Sequence, residues 1–270
     1  MIATEMVELH HISYMEGLKM KTKTVIFSNQ KGGVGKTTTC RELSINIANR
    51  GHKILVVDTD PQANLTKSLT DEEFKGLYDA LTGNEYELKD VKPNLYLLSG
   101  SIKLVGLEKS LIGEVDGYLR LKELFKRDDF KSFEYIFIDT PPSLSALTLN
   151  GLISADYLII PMTSSLYSMQ GTNDLMETVS KVKKSLNPGL SLIGVIVNAF
   201  DSVPNITKGI KDEIVEVFGD KTFSTSISKS IRVEEAIESK KGVGEFKSKL
   251  ADEINIITEE LLERLLKSGV

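Results

Sequence analysis

A single cysteine, Cys40, in a chain of 270 residues leaves no intrachain disulfide to form and fits a reducing compartment. The expected place for it is behind a glycine-rich loop at residues 31–38, as a small apolar group. Basic charge is also short. The 33 Lys and Arg against 38 Asp and Glu leave a net −5, whereas nucleic-acid binders are more often basic overall. Any DNA contact must therefore come from a local patch or from the pairing of two copies. Residues 1–19 carry Glu5, Glu8 and Glu16 and no apolar run long enough for a signal peptide. Export is not expected, and a cytoplasmic location is. The strand pattern starts only after Met20, so residues 1–19 are expected to be a flexible extension or an upstream start, with no helix-turn-helix pattern in them. His10 and His11 are adjacent but have no cysteine cluster near them, which argues against a metal site there. What remains, 41% hydrophobic and 26% charged, is the balance of a soluble globular chain. Its length suits one α/β domain, expected over residues 20–270.

The ordinary phosphate-loop pattern G-x-x-x-x-G-K-[ST] lacks its first glycine here, because Gln30 stands in that place. The loop itself reads Lys31-Gly32-Gly33-Val34-Gly35-Lys36-Thr37-Thr38. Before it, Lys23 to Ser28 is a β-branched and aromatic run that reads as a buried strand. After it, Thr38 to Arg50 places Leu43, Ile47 and Ala48 at helical spacing and stops at Gly51, a C-cap glycine. Glycines between a strand and a helix N-terminus let backbone N–H groups close on phosphate, and the helix dipole favours the anion.

Two further strands end in acids. The continuous apolar run Lys53 to Val57 reads as a central parallel strand and leads into Asp58-Thr59-Asp60-Pro61-Gln62. Tyr135 to Ile138 leads into Asp139-Thr140-Pro141-Pro142. Carboxylates at the C-terminal ends of parallel strands face the place where such sheets bind ligands. With the loop, they make a Mg²⁺–nucleotide site with a group to handle water. Helices are expected over Glu72–Leu81, Tyr118–Phe125 and Ser168–Leu186, and strands over Leu95–Leu98, Asp156–Met162 and Leu192–Val197. The last of these leads into Asn198-Ala199-Phe200-Asp201, an echo of the guanine-reading N-K-x-D without its lysine. A closing helix carries Phe246, Leu250, Ile254, Ile257, Leu261 and Leu265 as one apolar stripe. The fold class is α/β: a mostly parallel twisted sheet with helices on both faces.

The loop with its extra lysine, Lys31, and the D-x-D-P-Q segment resemble the deviant Walker A, or ParA/MinD, group of P-loop ATPases. Within it the resemblance is to ParA/Soj-type DNA-partition ATPases, since MinD proteins usually lack the D-P-Q continuation. It covers Lys21 to the C-terminus. It implies ATP and Mg²⁺ as cofactors, with Gly32, Gly33, Val34, Gly35 and Thr38 around the phosphates and Lys36 on the β- and γ-phosphates. Lys31 would reach across a dimer to the partner's nucleotide. Thr37 would give a hydroxyl to Mg²⁺, Asp139 would hold the ion through water, and Asp58 would be a Mg²⁺-side or structural partner. Asp60 would position or activate the attacking water. Asn198 falls at the base-recognition position.

Ser226 to Ala236 resembles the family stretch I-P-R-N-x-R-x-x-E-A, which shapes the adenine pocket, here through Glu235, and lies near the DNA-binding surface, here Lys229 and Arg232. Ser228, Lys229 and Ser230 depart from that pattern. The implied function is partition of plasmid or chromosomal DNA by an ATP-closed sandwich dimer. Such a dimer binds DNA without sequence preference on the nucleoid and is stimulated to hydrolyse ATP by a ParB-type partner. No membrane is expected to take part. A MinD-like positioning ATPase is the alternative, but the tail from Leu261 to Lys267 carries two cations with Glu259 and Glu260 just before it, whereas interfacial helices favour a basic polar face. An electron donor of the nitrogenase iron-protein type would need two cysteine ligands per subunit, and only Cys40 exists.

Overall fold

The structure, a computed structural model, describes residues 21–163, 166–199 and 212–268. His10, His11, Phe200 and Asp201 lie outside these residues. The strands β1 (Lys23–Phe27), β2 (Ile54–Asp58), β3 (Lys89–Lys92), β4 (Leu95–Leu98), β5 (Tyr135–Asp139), β6 (Tyr157–Thr163), β7 (Ser191–Ala199) and β8 (Ile227–Ser228) form one sheet in the order β3-β4-β2-β5-β1-β6-β7-β8. Only the edge strand β3 runs antiparallel to its neighbour.

Alternation along the central strands gives the sheet two apolar faces, as its near-continuous hydrophobic runs require. Val25, Phe27, Ile54, Val56 and Phe137 point to one face, where they meet α1 (Lys36–Asn49) and α9 (Lys249–Lys267). Ile26, Leu55, Val57, Ile136 and Ile138 point to the other. There they meet α4 (Leu104–Gly113), α5 (Arg120–Leu124), α6 (Ala146–Ser154) and α7 (Leu166–Ser185). The closing helix α9 starts where Ser248 Oγ accepts the Ala251 N–H. Its stripe is core: Leu250, Ile254, Ile257, Leu261 and Leu265 are at most 2% exposed. Among the described residues, no helix is long and apolar enough to cross a membrane.

The helix expected over Glu72–Leu81 shrinks to α3 (Leu77–Leu81). A Cβ at Gly76 would sit 2.1 Å from Ser99 Oγ, so the chain presses flat against the end of β4 there and cannot carry a helical turn with side chains through that point. Asp79 Oδ2 instead accepts the Gly76 N–H and starts the helix. Among the elements that the structure adds to those expected are the short α2 (Asn64–Leu69) directly after the Asp-Pro-Gln segment, the helices α4 and α6, and the edge strand β3.

The sheet's pairing fixes the site. β5 lies between β1 and β2, and the register sets Phe27 beside Asp139 and Asp58 beside Asp139. The loop after β1 and both acid-ended strands therefore open at one edge.

Candidate nucleotide site

The loop leaves β1 and enters α1 through Gly33 (φ +74°) and Gly35 (φ +84°), a left-handed backbone that glycine adopts without strain. Lys36, the first residue of α1, is 6% exposed, and its Nζ donates to Lys31 O at 3.1 Å. Burial lowers the pKa of this ammonium, while the charges of Asp139 and Asp60 act the other way. Thr37 Oγ1 donates to Asp139 Oδ2 at 2.7 Å. Asp139 is fully buried, and its Oδ1 has no hydrogen-bond partner. Burial, then the neighbouring Asp58 charge, pushes the Asp139 carboxyl well above the usual carboxylate range. Cys40 is buried one step further along α1, and burial pushes its thiol up as well.

The second acid segment is a hydrogen-bonded turn. Asp58 Oδ2 accepts from Thr66 N at 2.9 Å and Thr66 Oγ1 at 2.8 Å, and Oδ1 accepts from Asp60 N at 3.1 Å. Burial raises its pKa to about 6 against these bonds. Both Asp58 oxygens thus hold the loop and the start of α2, which is the structural side of the two roles open to it. Asp60 is turned the other way: Oδ1 accepts the Gln62 N–H at 2.9 Å, and the residue lines a cavity of about 560 Å³ with Gly33, Gly35, Lys36, Thr37 and Thr38. Such a volume is in the range of small-molecule sites. Arg41, Lys67, Ser68 and Ile237 make its far wall.

The donor set fits a hard cation. A threonine hydroxyl and a buried carboxylate oxygen without a partner are oxygen ligands, and Mg²⁺ takes one or two of these beside substrate phosphates and waters. No group of three or more His, Cys, Asp or Glu among the described residues makes a cage of its own.

A family model described as an AAA domain matches residues 22–192. The chromosome-partitioning ATPase Soj of Treponema pallidum is 35% identical over 79% of this chain and 86% of its own length. The chain belongs to the ParA/Soj-type ATPases. Among solved structures, cobyrinic acid a,c-diamide synthase from Mycobacterium smegmatis with bound ATP analogue and magnesium shares 29% identity at a TM-score of 0.78, covering 92% of this chain and 97% of that one. A putative plasmid partition protein from Borrelia burgdorferi bound to AMPPNP shares 27% at 0.76, covering 92% and 99%.

The ParA/Soj positions outside the loop fall less simply. Asn198 is a correction. It is fully buried beneath the loop, and its Nδ2 donates to Val34 O at 2.6 Å and Thr39 Oγ1 at 3.4 Å, so it props the phosphate loop and does not face the cavity. A strand end marks a place along the sheet but not the direction of its last side chain. Glu235, at the start of α8 (Arg232–Glu238), is also outside the cavity wall. It is ion-paired with Arg232 at 2.6 Å, and Arg232 lies over the Phe246 ring at 5.8 Å. The residues expected for adenine and for DNA are thus each other's partners on one short helix. Lys229 is exposed beside them. Lys31 flanks the loop, its N–H donating to Asn29 Oδ1, and is not part of the cavity wall.

One pair escaped sequence reasoning. Arg41 and Glu42, 1% and 2% exposed, form an ion pair inside the protein. The signal was present as adjacent opposite charges between Cys40 and Leu43, inside an otherwise buried helix.

Proposed function

We propose that this protein is a Mg²⁺-dependent ATPase that partitions DNA, working as one ATPase domain over residues 20–270. The observation that carries the reading is one cavity at the sheet's open edge lined by Lys36, Thr37 and Asp60, with Asp139 buried behind it and hydrogen-bonded to Thr37. The relatives' names support the cellular role, and the bound ATP analogue, AMPPNP and magnesium of the solved neighbours support the ligand.

In this reading the N–H groups from Gly32 to Thr38 and the Lys36 ammonium bind the β- and γ-phosphates, with the α1 dipole behind them. Burial works against the charge on that ammonium, and the Asp139 and Asp60 carboxylates counter part of this cost. Thr37 and Asp139 would hold Mg²⁺, which would supply neutralisation of the phosphate charge. Asp60, its plane fixed by the Gln62 N–H, orients a water for in-line attack, and ADP and phosphate result. Lys31 acts on the nucleotide of a second copy, so that ATP closes a dimer. Lys229 and Arg232 then present a doubled cationic patch to DNA, and a ParB-type partner stimulates hydrolysis and release. The γ-phosphate is the bias of a two-state switch, and hydrolysis removes it. The buried stripe of α9 works against the MinD-like alternative, which needs that face for lipid.

Binding to unrelated DNA fragments with ATP, with ADP and without nucleotide tests the reading. Binding with ATP alone is expected, and equal binding in all three states overturns it.

A further inference from the structure

The cavity's far wall is not held by the phosphate loop. It is held by a guanidinium buried behind it. Arg41 lies one turn along α1 from Thr37, on the same face, and lines the cavity. Its Nη1 meets Glu42 Oε1, while its Nη2 donates to Ser68 O at 3.3 Å, Ala236 O at 3.2 Å and Lys241 O at 2.7 Å. The first carbonyl belongs to α2, the helix that follows Asp60, the second to α8, which carries Ile237 into the cavity, and the third to the turn just after α8. Glu42 completes the junction by accepting the Val243 N–H at 2.7 Å through Oε2. On the surface above, Lys240 Nζ repeats the link between the same two segments, to Lys67 O and Asp71.

Stability alone does not account for such a pair. Buried ion pairs are often matched or bettered by apolar residues of similar size, because desolvation offsets the Coulomb gain. Here, moreover, Arg41 Nε is left buried without an acceptor. What an arginine fork does supply is geometry, a rigid plane that fixes several oxygens at set distances. Helix α2 is then pinned at both ends: near its start by Asp58 through Thr66, and near its finish by Arg41 through Ser68. Asp60 sits just ahead of the first pin.

We propose that the Arg41–Glu42 pair is a positioning pair that registers α2 and α8 against the phosphate-loop helix and so sets where Asp60 stands over the nucleotide. This rests on the ATPase reading of the same cavity. Neither residue belongs to the phosphate loop, so the pair acts on turnover through Asp60 and leaves the phosphate grip of Gly33 to Thr37 intact.

The test compares the wild type with Arg41→Lys and with the double variant Arg41→Met, Glu42→Gln. Lysine keeps the charge beside Glu42 but cannot span carbonyls on both segments. The double variant removes both charges while glutamine still accepts the Val243 N–H. Three readouts are taken: steady-state ATP hydrolysis, ATP affinity by fluorescence titration and thermal melting. In both variants kcat should fall by about ten- to a hundredfold, the scale on which an ångström of misplacement acts. ATP affinity should stay close to the wild type in both, and melting temperature should do so in the double variant, where no charge is left buried. Unchanged kcat in the double variant overturns the proposal, and so does a fall in kcat that tracks equal losses of affinity and melting temperature. A wild type that neither binds nor hydrolyses ATP overturns the ATPase reading instead, and the wild-type arm shows it directly.

Discussion

Asp139 sets chemistry against stability within a single side chain. It is buried beside Asp58, one of its oxygens has no partner, and both carboxyls are pushed up by burial. Below the unfolded carboxylate pKa of about 4, both groups are protonated whether the chain is folded or not. As pH rises through about 6 for Asp58, and higher for Asp139, the folded state holds protons that the unfolded state has released, so stability is lost over that window. Nucleotide-free protein should therefore melt at lower temperature at pH 7 than at pH 5. Asp139→Asn should flatten this slope and raise the pH 7 melting point by about 2–4 °C, the equivalent of about 1 kcal/mol in a chain of this size. The same variant should lose ATP hydrolysis. A lower melting point for Asp139→Asn at pH 7 would show that the carboxylate is compensated. A second residue-scale prediction separates grip from turnover. Lys36→Ala should lose ATP affinity, whereas Asp60→Ala should bind ATP and fail to hydrolyse it. Isothermal titration beside a phosphate-release assay reads both, and wild-type turnover in Asp60→Ala would leave Asp60 only its bond to Gln62.

Among the elements, α9 gives the cleanest choice between two uses of one sequence pattern. An amphipathic C-terminal helix suits either a core or a lipid surface, and its periodicity is the same in both. In the fold, Leu261 and Leu265 are fully buried against the sheet, and the end of the helix is tied back where Lys23 Nζ donates to Leu265 O. Leu261→Ala should then cost about 2–5 kcal/mol, the range for a leucine deleted from a packed core. Urea unfolding measures it, and a cost below about 0.5 kcal/mol, the surface range, would return the helix to the membrane reading. The stretch from Glu72 to Leu81 shows the reverse case. Its composition favoured one helix, and a close approach at Gly76 cut it short.

At the scale of the whole molecule, the net charge of −5 makes general attraction to DNA improbable, so a local cluster must carry it. Arg232 is held by Glu235, but their side chains are 44% and 41% exposed, and such surface pairs are worth only about 0–1 kcal/mol. A DNA phosphate can take the guanidinium over at little cost. The Lys229→Ala, Arg232→Ala variant should weaken ATP-dependent binding equally on unrelated sequences and lower the salt slope by roughly one for each phosphate no longer neutralised. Unchanged affinity and slope would move the surface to Lys240, Lys241 and Lys247. Lys31→Ala should bind ATP as a monomer yet neither dimerise nor hydrolyse, since a cation acting in trans is worth on the order of 10³ in rate. An ATP-dependent dimer of that variant in light scattering would remove Lys31 from the interface.

The sequence by itself determined the phosphate loop, the two acid-ended strands, the two-faced parallel sheet and the ParA/Soj membership. Each of these is written locally, in glycines at fixed offsets, in runs of β-branched residues that end in an acid, and in a stripe of one period. Only the tertiary structure decided what the side chains at those places touch. Asp58 and Asp60 stand two residues apart on one strand end, yet one binds α2 and the other faces the cavity. Asn198 props Val34, and Arg41 reaches Lys241. These hydrogen bonds join residues 164 and 200 positions apart. They depend on which segments the sheet order and helix packing bring together, and no local period encodes that.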